Sequence, residues 1–187
     1  MPVEGPVVIR SSCTLKARTF APDGRQSRTV SASFIKSAFR NPPAAPGSAT
    51  PGLRIRYFEG TWDKLPDFET LGPAVTGTIP DFRIDRRRRN DDFGFAFDGW
   101  IRIPLDGLYT FFVASDDGVR LTVDGENVVE HDGLHGLEER SGQIALRSGW
   151  YPISLRYFEH LGGEGLSVRW AGPGISKSPV PEAALWH

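Results

Sequence analysis

Two adjacent carboxylates, Asp116 and Asp117, stand inside the short run Ser115-Asp116-Asp117-Gly118. Adjacent carboxylates in a loop offer the hard oxygen ligands that calcium prefers, at about 2.3–2.6 Å and in six- to eightfold coordination. The same four residues also spell a turn, because Asp accepts backbone N–H bonds and Gly118 tolerates positive φ. A second loop, Glu159-His160-Leu161-Gly162-Gly163-Glu164-Gly165, adds two carboxylates and a glycine pair whose backbone carbonyls could approach an ion. Glu159 could equally pair with an arginine. His131 and His135 are four apart, but Asp132-Gly133 between them breaks any helix, so they are not a helical zinc pair. Of the five tryptophans, at 62, 100, 150, 170 and 186, four read as core and seam residues; Trp62, in Gly60-Thr61-Trp62-Asp63, is the one expected to be exposed. No carboxylate pair sits in a setting that suggests the raised pKa of a glycosidase acid.

The elements that must hold these loops are strands. Leu53–Tyr57, Ile101–Ile103 and Ile153–Tyr157 alternate apolar and polar residues, which places one face of each in a core. Leu108–Val113 and Val119–Val123 flank the Asp pair, and Asp124-Gly125 makes a tight turn into Asn127-Val128-Val129. Leu166–Trp170 closes the series before Pro173 and Gly174. Short strands separated by turn signals, with no long helical period, predict an all-β, two-sheet antiparallel sandwich. Residues 41 to 52 hold four prolines and two glycines and predict a linker. Before them, Cys13–Phe20 and Thr29–Ile35 predict one hairpin around Pro22-Asp23-Gly24. A lone hairpin is marginal in water, so residues 1–40 either pack on the main domain or are part of a larger unit. The expected organisation is therefore a hairpin at 1–40, a linker at 41–52 and a sandwich at 53–187.

Composition fits that reading. The 187 residues include 21 glycines and 15 prolines, with 39% apolar and 24% charged residues, as in a folded soluble chain rather than a disordered one. Twenty-two basic residues against 23 acidic ones give a net charge of −1, so no broad positive field is offered to nucleic acid. Arg86-Arg87-Arg88-Arg89 is followed at once by Asn90-Asp91-Asp92 and reads as a solvated loop with locally offset charge. A single cysteine, Cys13, excludes an intrachain disulfide and a thiolate cluster. No apolar run reaches the roughly 20 residues that span a bilayer. Met1-Pro2-Val3-Glu4 lacks the regions of a signal peptide, as in a cytoplasmic protein or in a piece taken from a longer chain, the reading favoured by the incomplete β domain at the start.

From Leu53 onward the residue order resembles the PA14 domain, a β-sandwich found in glycosidases, flocculins and bacterial adhesins. The resemblance rests on Gly107-Leu108-Tyr109-Thr110-Phe111, Ser115-Asp116-Asp117-Gly118-Val119-Arg120-Leu121, Val123-Asp124-Gly125, His131-Asp132-Gly133, His135-Gly136, Gly149-Trp150-Tyr151-Pro152-Ile153 and Tyr157-Phe158-Glu159. In glycan-binding members the matching Asp pair is joined by a cis peptide and holds calcium, whose shell sugar hydroxyls complete. Carried over, this implies a possible calcium cofactor, with metal ligands at Asp116, Asp117 and Glu159 and carbonyls near His160, Leu161 and Gly162. Glycan contacts then fall to Asp116, Asp117, Trp62 and His135. The second loop lacks the aromatic residue that binding members carry, so it offers a sugar no ring to stack on. Residues 5–36 resemble the second half of a small β domain appended to chitobiases and β-hexosaminidases. Together these resemblances imply a non-catalytic carbohydrate-binding or accessory module, calcium-assisted, from a secreted, periplasmic or cell-surface bacterial glycoside hydrolase. Its partners would be a glycan and a neighbouring catalytic domain. The alternative is a structural spacer that binds nothing.

Overall fold

The computed structural model describes residues 5–187, so the expectation for Met1–Glu4 lies outside the described residues. The chain forms two compact units, Met1–Ala38 and Phe39–His187. In the first, β1 (Cys13–Ala17) pairs antiparallel with β2 (Val30–Phe34). The register sets Cys13 opposite Phe34, Leu15 opposite Ala32 and Ala17 opposite Val30, so one face of the ribbon is wholly apolar. Thr14, Lys16, Ser31 and Ser33 make the other face polar, and every residue of both strands is exposed.

The second unit is a two-sheet antiparallel sandwich, as the alternation predicted. Its strands are β3 (Leu53–Glu59), β4 (Val75–Ile79), β5 (Phe93–Ile103), β6 (Gly107–Asp116), β7 (Val119–Val123), β8 (Glu126–His131), β9 (Glu138–Leu146), β10 (Gly149–Glu159), β11 (Gly165–Gly172), β12 (Ile175–Pro179) and β13 (Leu185–Trp186). One sheet runs β4-β3-β5-β10-β7-β8 with β13 added on β5, and the other runs β12-β11-β6-β9. Alternate side chains of β6 (Tyr109, Phe111, Val113) and of β10 (Tyr151, Ile153, Leu155) are 0–2% exposed and meet between the sheets. Asp124 and Gly125 both have positive φ, at 51° and 75°, and make the tight turn expected there.

Two local outcomes differ from the sequence reading. Phe93 to Phe97 on β5 is buried without alternation, because the 60–71 segment closes over its outer face and forms a satellite cluster of Phe58, Phe68, Ala96 and Phe158. Gly94 is needed under that cover: a Cβ there would lie 2.7 Å from Phe68. The proline-rich stretch is also held to the sandwich. The Arg40 N–H donates to the Ala145 carbonyl and its guanidinium pairs with Asp124, while Thr50 and His187 exchange backbone bonds.

All residues of the main core lie between Leu53 and Leu185. Deleting residues 1–38 is therefore expected to leave the melting temperature of the sandwich within about 2 °C of the full chain, since no core side chain is removed. Differential scanning calorimetry checks this, and a loss of more than about 5 °C would show that the hairpin supports the sandwich.

Candidate metal centre

Three connections cross from one sheet to the other at the same end of the sandwich, and the Asp pair lies where they meet. Asp117-Gly118 links β6 to β7, residues 132–137 link β8 to β9, and residues 160–164 link β10 to β11. Strand register fixes their proximity: Asp116 is opposite Gly165, Ser115 opposite Glu138, Val119 opposite His131, and Glu159 opposite Phe93.

Asp117 ties the crossings together. It is 4% exposed, and its Oδ1 and Oδ2 accept the backbone N–H groups of His135 (2.8 Å) and His160 (3.0 Å). Asp116 is half-buried; its carbonyl accepts the Tyr157 hydroxyl at 2.5 Å, and its carboxylate lies beside Gly163. The Asp116-Asp117 peptide is cis. Gly118 serves here by close approach rather than by positive φ, because a Cβ would stand 2.3 Å from the Phe158 ring.

Glu159 completes the group. It is fully buried, neither of its carboxylate oxygens has a hydrogen-bond partner among the described residues, and one oxygen from each of Asp116, Asp117 and Glu159 falls within 4.8 Å of the others. Burial, then the charges of Asp117 and Asp116, push the Glu159 carboxyl up to about 8, and burial with the Asp117 charge raises Asp116 too. The arginine pairing envisaged for Glu159 does not form: Arg87, from the basic run, pairs with Glu164 instead. A buried, unpartnered carboxylate beside two others is a donor set of hard oxygens that a divalent cation neutralises, and the residues present fit calcium.

The other expected site residues divide. The His160 carbonyl accepts the Asp92 N–H at 2.9 Å and its ring Nδ1 bonds the Asp92 carboxylate, so His160 positions Asp117 rather than offering a free carbonyl. Leu161 is exposed, and the Gly162 N–H donates to Asp91. His135 stacks on His131 with ring centroids 3.6 Å apart, and its backbone, not its ring, reaches Asp117. Trp62 is not an exposed platform: it is half-buried, edge-on to Phe68 at 5.9 Å, because the 60–71 segment folds inward. Asp91 and Asp92, read from sequence as neighbours offsetting the arginine run, in fact hold the 160–162 loop. Their adjacency to the Arg run masked that role.

Among curated proteins the chain is similar to the anti-sigma-I factor RsgI3 of Acetivibrio thermocellus, 26% identical over 136 residues that make up 72% of this chain and 21% of the relative. The chain thus spans about a fifth of that protein. Among solved structures it is similar to an anti-sigma factor domain-containing protein (TM-score 0.63, 24% identity, 73% of this chain and 47% of the other). It is also similar to a PA14 sugar-binding domain from an RTX adhesin (TM-score 0.61, 18% identity, 73% and 98%). A family model described as the PA14 domain matches residues 51–184, the span that carries both sheets and the three crossings, and the chain belongs to that family.

Proposed function

We propose that the sandwich is a non-catalytic, calcium-assisted carbohydrate-binding module of a larger secreted or surface-exposed polypeptide. The carrying observation is the buried Glu159 carboxylate, without a partner and within 4.8 Å of the Asp116 and Asp117 carboxylates. Asp116, Asp117 and Glu159 would hold the ion, which would supply a Lewis-acidic contact for sugar hydroxyls. The name of the RTX adhesin domain as sugar-binding supports the glycan reading. Leu134, Leu137 and Leu161 stand 52%, 65% and 64% exposed on the flanking loops, so the rim is aliphatic and the ion carries the recognition. Affinity for calcium falls in the range of roughly 10⁻⁴ to 10⁻³ M expected of extracellular modules.

The apolar face of the β1–β2 ribbon supports its membership of a small β domain with further strands. A glycoside hydrolase as parent rests on resemblance alone. No helix of the described residues is long and apolar enough to cross a membrane.

On a glycan array in 5 mM calcium the chain is expected to bind a defined subset of neutral glycans, with signal lost in chelator and in Asp116→Asn. Binding that survives both treatments would show that the ion is not the recognition element. Absence of both binding and a calcium-dependent thermal shift would favour the spacer role.

A further inference from the structure

The outward face of the larger sheet, away from the carboxylate cluster, carries a row of facing residues fixed by register: Arg54 beside Asp98, Asp98 beside Ser154, and Ser154 beside Thr122. These four residues, with Trp100 and Pro152 on the next row, line a cleft of about 470 Å³. That volume is within the range of small-ligand sites.

Most charges on this face are paired, and Arg102, outside the cleft, lies over the Trp150 ring. Asp98 bonds Arg156 at 2.8 Å and Arg56 at 3.3 Å, and Glu69 bonds the same two arginines, which closes a neutral square. Arg120 pairs with Glu130 at 2.6 Å. Arg54 is exposed and makes no ion pair or side-chain hydrogen bond among the described residues. The cleft therefore presents the Arg54 guanidinium, a half-buried indole, the hydroxyls of Ser48, Thr122 and Ser154 and the edge of His187, and the Asp98 charge that would repel an anion is spread over two arginines.

We propose that this cleft is a second binding site, and that its ligand is a hexuronic acid residue of an acidic polysaccharide. A guanidinium takes a carboxylate through two parallel N–H bonds, a geometry that a lone Arg supplies and a Lys does not. The indole of Trp100 and the ring of Pro152 give the C–H face of a pyranose an apolar surface, while the neighbouring hydroxyls of Thr122 and Ser154 can donate to and accept from its ring hydroxyls. A peptide carboxylate satisfies Arg54 alone and leaves the hydroxyl row and the apolar floor without use.

The test is isothermal titration of the full chain with a tetramer of galacturonic acid in EDTA, which silences the calcium-dependent site. Binding is expected, weakened by salt, about tenfold weaker in Arg54→Ala, partly retained in Arg54→Lys and unchanged in Asp116→Asn. Circular dichroism melts confirm that the variants are folded. Equal binding of the fully methyl-esterified tetramer, an unchanged affinity in Arg54→Ala, equal binding of a glutamate peptide, or no binding of the acidic tetramer overturns the proposal. Because chelator is present throughout, each of these results leaves the reading of the carboxylate site standing.

Discussion

Without calcium, the sandwich is expected to melt at a higher temperature at pH 6.5 than at pH 8, and calcium is expected to raise the melting temperature more at pH 8 than at pH 6.5. The group responsible is Glu159, whose carboxyl is held near 8 in the fold by burial and by the Asp117 and Asp116 charges. A carboxyl raised in this way binds more protons folded than unfolded between about 4.5 and 8, so stability falls as pH rises through that window. From pH 6.5 to 8 the loss amounts to about 1 to 2 kcal/mol, or a few degrees for a domain of this size. His131, lowered chiefly by burial, works in the opposite direction but below its ordinary value of 6.5. The lowered carboxyls of Glu69, Asp92, Asp106 and Glu130 act lower still, so Glu159 dominates the chosen interval.

Calcium takes the place of the proton. An ion that binds only the folded chain with a Kd near 10⁻⁴ M adds about 2.7 kcal/mol at 10 mM. It must displace the Glu159 proton at pH 6.5, so its effect is smaller there. Glu159→Gln is expected to flatten the pH slope, to raise the chelated melting temperature at pH 8, and to remove most of the calcium shift. Differential scanning fluorimetry at the two pH values, with EDTA or 10 mM calcium, reads all three effects. A pH-independent melting temperature together with no calcium response would overturn the assignment of Glu159 as an unpaired carboxylate.

How much of this was legible in the sequence follows from how local each feature is. The alternation in β6 and β10 and the turn at Asp124-Gly125 are written in neighbouring residues, and they set the sandwich. β5 escaped beyond Ile101–Ile103 because Phe93 to Phe97 is covered on both faces, which erases the period of two. β9 escaped because its first residues face solvent and read as polar loop. The Asp pair was visible because its partners are adjacent in sequence. What Asp117 does with its two oxygens was not, since His135 and His160 are 18 and 43 residues away. The same distance hides the solitude of Glu159: a chain with four arginines in a row promises a partner, and only the fold shows that Arg87 is taken by Glu164.

Asp117→Ala is expected to destabilise the calcium-free sandwich by about 3 kcal/mol, roughly 6–12 °C in melting temperature, whereas Asp116→Ala is expected to cost less than about 1 kcal/mol. The two residues carry the same charge and are covalent neighbours, so the difference lies in what they hold. Removing the Asp117 carboxylate leaves the N–H groups of His135 and His160 without their acceptor and frees two of the three sheet crossings from the third. Relief of the repulsion on Glu159 offsets part of that loss, which keeps the estimate below the sum of two charged hydrogen bonds. The half-buried Asp116 carboxylate reaches the backbone of one other crossing, at Leu137, and does not join all three as Asp117 does. Thermal melts in EDTA compare the pair directly, and equal losses would mean that Asp117 is not the tie. The consequence for the ion is that Asp117 variants lose calcium through the loops as well as through the ligand. Asp116 variants are expected to report coordination with the least change in calcium-free stability, and Glu159 variants report it once their own shift in chelated melting temperature is subtracted.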